Sequence, residues 1–204
     1  VKFEFDYQNA SGDSTNCSTI ANKFVSSQYD LIMANATPAL QACVTATAAS
    51  KTPVVGTSVT DYAAALDIQM GPTDATGINV TGTSDLAPLD KQAQQILDLF
   101  PETKKVGVIY CSAEANSKPQ ADGVKEALAA KGVECEYYAF SDSNDISAVA
   151  KKAAAEVDVI YVPTDNTAAS NGAVIDDACK NANTPVIAGE EGICAGCGVA
   201  TLSI

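Results

Sequence analysis

The chain has 204 residues, 47% of them hydrophobic, enough for one large domain or two small ones with a substantial core. Lys and Arg total 12 against 25 Asp and Glu, a net charge of −13 with no basic cluster, which argues against nucleic acid as a partner. The longest apolar runs, such as VGVIY, fall far short of the roughly 18 residues a membrane-spanning helix requires.

In chain order, VKFEF (1–5) alternates like a strand, and STIANKFVSSQYD (18–30) has helical spacing. DLIMANATPA reads as a buried strand, a polar corner and a helix start, and TPVVGTS (52–58) and GINVTGT (77–83) read as further strands. DKQAQQILDLF then opens a helix. Residues 106–132 form a strand–loop–helix unit, and VECEY (133–137) is the next strand. Ser143 or Asn144 is placed to cap the helix ISAVAKKAAAEVD. VDVIYVPTDNTAAS (157–170) repeats the strand–corner–helix phrase, followed by TPVIAGE (184–190) and GVATLSI (198–204).

These elements repeat. Aligning Asp30 with Asp158, an offset of 158 − 30 = 128, lays DLIMANATPA over DVIYVPTDNTA, TPVVGTS over TPVIAGE, VKFEF over VECEY and GINVTGT over GVATLSI. Strand–helix alternation in two copies predicts an α/β protein of two doubly wound parallel-sheet lobes with right-handed crossovers. The expected lobes are residues 1–83 and 84–204, with hinge passages near 80–88 and 200–204; Thr83, Ser84 and Asp85 are hinge or capping candidates. The second copy holds a unit, 106–132, with no counterpart in the first. That predicts about 30 further residues upstream of Val1, an inference from the repeat, and a closing element beyond Ile204. The missing initiating Met at Val1 points the same way.

In open parallel sheets, ligands bind beyond the carboxyl ends of the strands. The corners there hold Asn35–Pro38, Ser58–Asp61, Ser112–Ser117, Thr164–Thr167, and Glu190 with Glu191. Each residue alone is explained as readily by N-capping as by ligand binding. Collectively, helix N-termini attract a carboxylate, while Asp61, Glu114, Asp165 and Glu190 supply charge for an ammonium. Both together fit a zwitterion, hence an amino acid held by two lobes closing on a hinge.

Reaction chemistry is sparse. The chain has no His, so no Ser–His–Asp or Cys–His system exists within it, and neither phosphate-loop motif occurs. Of seven cysteines, Cys17, Cys43 and Cys179 lie in helical patterns as small buried hydrophobes. An odd count argues against a strongly oxidising compartment or points to an anaerobic host. Cys194 and Cys197 form a Cys-x-x-Cys read as a local disulfide or two loop residues, since a metal or redox role needs further ligands or an adjoining helix start. Cys111 ends a strand at the expected cleft, which keeps open a two-thiol racemase.

DYQNASGD, ATPALQA, GTSVTDYAAA, NVTGTSDLAPLDKQ, VGVIYCSAEANS, YVPTDNT and AGEEG, in order over nearly the whole chain, resemble the ABC-transporter substrate-binding proteins that include tryptophan- and tyrosine-uptake components. The resemblance implies the type I periplasmic-binding-protein fold and an extracytoplasmic protein, a lipoprotein in Gram-positive hosts. It implies delivery of an aromatic amino acid (Trp, Tyr or Phe) to a membrane permease, with no cofactor, metal or catalytic residue. By motif match it places ligand contacts at Thr37, Thr60, Asp61, Glu114, Asn116, Ser117, Asp165, Asn166 and Glu190. Asp165 is the first choice for the ammonium, Glu114 or Glu190 the second. The cysteines in EEGICAGCG depart from the family pattern. Tyr62, Tyr110 and Phe140 are candidates by position for an aromatic pocket. The alternatives to a binding protein are a racemase using Cys111 and the effector-sensing core of a transcription regulator, which shares the fold.

Overall fold

A computed structural model describes residues 2–203. The chain divides into two compact units, Val1–Asp85 and Leu86–Ile204.

In the first unit, Asp13 caps α1 (Ser14–Ser26) by accepting from the Asn16 N–H at 2.7 Å. β1 (Ile32–Asn35), β2 (Val54–Val59) and β3 (Val80–Ser84) pair in parallel in the order β1-β2-β3. The connecting helices are α2 (Thr37–Thr47) and α3 (Tyr62–Leu66). Strand alternation decides the packing. Ile32 and Ala34 are buried in one cluster with Ala21, Leu40 and Cys43 of α1 and α2, whereas Met33, on the opposite face of β1, is 66% exposed. Tyr62 lies across the sheet where β2 and β3 carry glycines in register, Gly56 opposite Gly82. A Cβ at Gly82 would come within 2.0 Å of the Tyr62 hydroxyl and 2.1 Å of the Gly56 carbonyl oxygen.

The second unit contains α4 (Leu89–Leu99), β4 (Lys105–Cys111), α5 (Ser117–Ala129), β5 (Glu134–Phe140), α6 (Ile146–Glu156), β6 (Val159–Val162), α7 (Asn166–Ser170), α8 (Gly172–Ala182), β7 (Val186–Ala188), α9 (Glu191–Cys197) and β8 (Ala200–Thr201). Its five strands are all parallel, in the order β5-β4-β6-β7-β8. Here both faces are covered. Ile109, Cys111, Ile160, Val162, Val186 and Ala188 pack with α6, α8 and α9; Val106, Val108, Tyr110, Val159, Tyr161 and Ile187 pack with α4 and α5. Continuous burial along β4, β6 and β7 is the signature of a parallel strand between two helical layers.

The repeat is visible element by element: α1, β1, α2, β2, α3 and β3 correspond to α6, β6, α7–α8, β7, α9 and β8. Four expectations need correction. VKFEF is not a strand: residues 2–10 carry no regular structure, and Phe3, Phe5 and Tyr7 are exposed, Phe5 by 90%; Val1 lies outside the described residues. Its counterpart β5 pairs only with β4, and among the described residues the first unit has no strand equivalent to β4 to pair with it. The last strand shortens from 198–204 to Ala200–Thr201, and Ile204 lies outside the described residues. The N-cap of α6 is Asp145 rather than Ser143 or Asn144, because a turn held by the Asn144 N–H to the Asp142 carboxylate occupies those positions. Cys194 and Cys197 lie on α9, not in a loop, because Glu190 caps a helix there.

Candidate functional site

Within each unit the parallel strands deliver their carboxyl-end corners to one edge of the sheet. In the second unit the corners after β4 and β6 are bonded into one cluster. Asp165 caps α7, accepting from the Ala168 N–H at 2.8 Å through Oδ1. Its Oδ2 accepts from the Cys111 N–H at 2.6 Å and the Ser117 hydroxyl at 2.8 Å. Asp165 is 1% exposed, and burial, then the neighbouring Glu114, pushes its carboxyl up to about 6. Glu114 reaches the start of α7 from the other side. Oε2 accepts from the Asn166 N–H (3.0 Å) and side-chain amide (2.9 Å), and Oε1 from the Thr167 N–H (2.7 Å) and hydroxyl (2.6 Å). This is charge-assisted capping by a carboxylate distant in sequence.

Asn116 donates from Nδ2 to the Thr164 carbonyl at 2.9 Å, and its Oδ1 is buried without a partner. Gln120 closes the cluster: it donates to the carbonyls of Asn116 (2.8 Å) and Thr164 (3.0 Å) and accepts from the Thr164 N–H at 3.2 Å. One strand over, Glu190 caps α9 through the N–H groups of Gly192 and Ile193.

The first unit offers a different chemistry at its corners. Ala36, between β1 and α2, has φ 78° and ψ 156°, a region that glycine alone adopts freely. The conformation lets the Ala36 N–H donate to the Thr57 carbonyl at 2.9 Å and presents Thr37, buried, as the first residue of α2. No side chain caps α2. On the next strand Ser58 has φ 52°, at an irregularity between Gly56 and Val59. Thr60 is buried, and Asp61 caps α3 through the Ala64 N–H at 3.0 Å.

The nine sequence candidates thus fall at strand ends. Glu114, Asn116, Ser117, Asp165 and Asn166 form one hydrogen-bonded cluster in the second unit, with Glu190 at the neighbouring strand end. Thr37, Thr60 and Asp61 sit on adjacent corners of the first. Asp165, the first choice for an ammonium, has both oxygens committed to donors of its own unit and is buried; Glu114 and Glu190 also cap with both oxygens but are only partly buried. Tyr62, Tyr110 and Phe140 are buried core residues. Cys111 is buried, its thiol faces the Ser141 carbonyl at 3.6 Å, and burial foremost raises its pKa, the opposite of an activated thiolate. Gln120 is not singled out by the sequence, and Thr167 is named there only as a corner residue, not as a ligand contact. The available signal for Gln120 is a polar residue on the Ala121–Val124–Leu128 stripe of α5. Among the described residues no group of three or more His, Cys, Asp or Glu is placed to hold a metal, and no helix is long and apolar enough to cross a membrane.

Comparison with known proteins agrees with this layout. The chain is 36% identical over 189 residues to the tyrosine-binding protein of Clostridioides difficile (strain R20291), a match covering 93% of the chain and 54% of that protein. It therefore spans about half the length of the curated relative. Among solved structures, an ABC domain in complex with L-Trp from Streptococcus pneumonia superposes with a TM-score of 0.92 at 30% identity, covering 99% of this chain and 69% of that one. A conserved domain protein from Vibrio cholerae superposes with a TM-score of 0.88 at 33% identity, covering 98% and 66%. The family described as ABC transporter substrate binding protein matches residues 1–204 from end to end, and the chain belongs to that family.

Proposed function

We propose that the protein is the extracytoplasmic solute-binding component of an importer, that it captures an aromatic amino acid, and that it hands the ligand to a membrane permease. The observation that carries the reading is the contrast between repeat-related helix starts. α3, α7 and α9 each begin on a carboxylate of the protein itself, Asp61, Asp165 with Glu114, and Glu190 respectively. α2, the counterpart of α7, begins on Ala36 with no side-chain acceptor. Its uncapped dipole end and the Thr37 corner suit the carboxylate of a ligand. Glu114 and Glu190, partly exposed, carry charge that suits an ammonium while still capping their helices. The tyrosine-binding relative and the L-Trp complex support an aromatic side chain.

Calorimetric titration of the full-length protein with Tyr, Trp, Phe and Leu tests this. A dissociation constant of about 1 μM, roughly −8.2 kcal/mol, is expected for an aromatic amino acid. Glu114→Gln is expected to weaken it at least about tenfold, the scale of one lost charge-assisted bond. Absence of binding to every amino acid overturns the reading; tight binding of Leu alone overturns the aromatic preference.

A further inference from the structure

Outside the candidate site, Cys194 and Cys197 stand apart from the other thiols. Cys17, Cys43, Cys111, Cys135, Cys179 and Cys197 are all buried, and Cys194 is the one described cysteine that is partly exposed. It borders an open hollow of about 600 Å³ at the amino end of β7, lined also by Asp176, Cys179, Lys180, Cys197 and Val199. That is the end of the sheet opposite the corners described above.

We propose that Cys194 and Cys197 are a redox-active dithiol that reacts with low-molecular-weight disulfides entering this hollow and closes to an intrahelical disulfide. Residues three apart on an α-helix have Cα atoms about 5 Å apart, inside the roughly 4.4–6.8 Å range a disulfide spans. Cys197 Sγ turns back along the helix to 3.4 Å from the Ile193 carbonyl oxygen. A Cβ at Gly198 would come within 2.8 Å of Cys194 Cα and 3.2 Å of its Sγ, so glycine at 198 leaves room around the Cys194 thiol. Burial, with Cys179, Asp176 and Cys194 nearby, pushes the Cys197 thiol up to about 12, which makes accessible Cys194 the attacking group.

The Cys194 thiolate attacks one sulfur of a disulfide RSSR. The S–S bond breaks, RS⁻ leaves and takes a proton, and a mixed disulfide remains on Cys194. Cys197 then loses its proton to water and attacks Cys194 Sγ, expelling the second RS⁻. Two protein thiols are oxidised by two electrons, and RSSR is reduced to two RSH. The high pKa of Cys197 makes this second step the slow one.

The test is to incubate the reduced, native full-length protein with oxidised glutathione and follow intact mass and peptide maps. Wild type is expected to pass through a single adduct on Cys194 to a species two hydrogens lighter, bridged 194–197. Cys197→Ser stops at the adduct, and Cys179→Ser behaves as wild type. Cys194→Ser slows native thiol consumption about tenfold or more. The proposal is overturned if native Cys194 stays unmodified while the unfolded protein reacts, or if the bridge joins Cys179 to either residue. Amino-acid binding is a separate readout and can succeed or fail independently of this result.

Discussion

Ala36 and Asp165 carry the largest local costs at the candidate site. A non-glycine residue at φ 78° and ψ 156° costs about 1–3 kcal/mol, against the roughly 0.4–1 kcal/mol a glycine adds in unfolded-chain entropy. Ala36→Gly is therefore expected to stabilise the protein by about 1 kcal/mol, read as a higher urea midpoint at unchanged slope. At Asp165, the folded-state pKa is raised from the ordinary 3.8 to about 6. The folded protein binds this proton before the unfolded chain does. The contribution is fully present below about pH 4 and is lost as the pH rises through about 6. It amounts to about 2–3 kcal/mol, from 1.36 kcal/mol per pKa unit. Asp165→Asn removes the titration. The stability difference, wild type minus variant, is expected to grow by that amount between about pH 7 and about pH 4.5 in paired urea titrations. Taking the difference cancels the opposite trend of Asp122, Glu136 and Asp158, whose pKa values are lowered.

At the scale of elements, the glycine pair beneath Tyr62 shows how local sequence sets packing. A Cβ at Gly56 meets first the far end of Tyr62, whereas at Gly82 it also meets backbone, the Gly56 carbonyl. Gly82→Ala is expected to cost about 2–3 kcal/mol and Gly56→Ala about 1 kcal/mol, on the scale of overpacking. Tyr62→Phe, which removes the hydroxyl, should rescue Gly56→Ala more than Gly82→Ala; equal rescue in denaturant melts would refute the geometry. The same elements explain what could be read in advance. Strands β1, β2, β6 and β7 were legible because short apolar runs end at polar corners and the 128-residue offset paired them, and β4 was legible from its own Val and Ile run. VKFEF misled because alternation reports strand propensity while a strand also needs a hydrogen-bonding neighbour. Site positions were legible as corners. Their roles were not: no spacing rule tells that Glu114 caps a helix some 50 residues on, or that Asp165 spends both oxygens on Cys111, Ser117 and Ala168.

Within the 204-residue chain, the two units differ in how completely their sheets are covered, and for this chain that sets an order of stability. Leu31 and Met33 of the first unit are more than half exposed, whereas β4, β6 and β7 of the second are buried on both faces. Full burial of two such side chains is worth about 3 kcal/mol or more, so amides of β1 and β2 should open at least about 100-fold more often than those of β4 and β6. Hydrogen exchange followed by mass spectrometry on the 204-residue chain reads this directly; equal protection in both sheets would contradict it. An amino acid bound at the start of α2 then has a distinguishable signature. At 100 times its dissociation constant a ligand adds about 2.7 kcal/mol to the state it binds. Because the first unit is the less stable, that increment slows its exchange about 100-fold, starting from Thr37–Leu40, while the sheet amides of the second unit, already limited by their own packing, gain less. Protection that rises uniformly along the chain, or only around α7, would place the ligand elsewhere and remove α2 from the site.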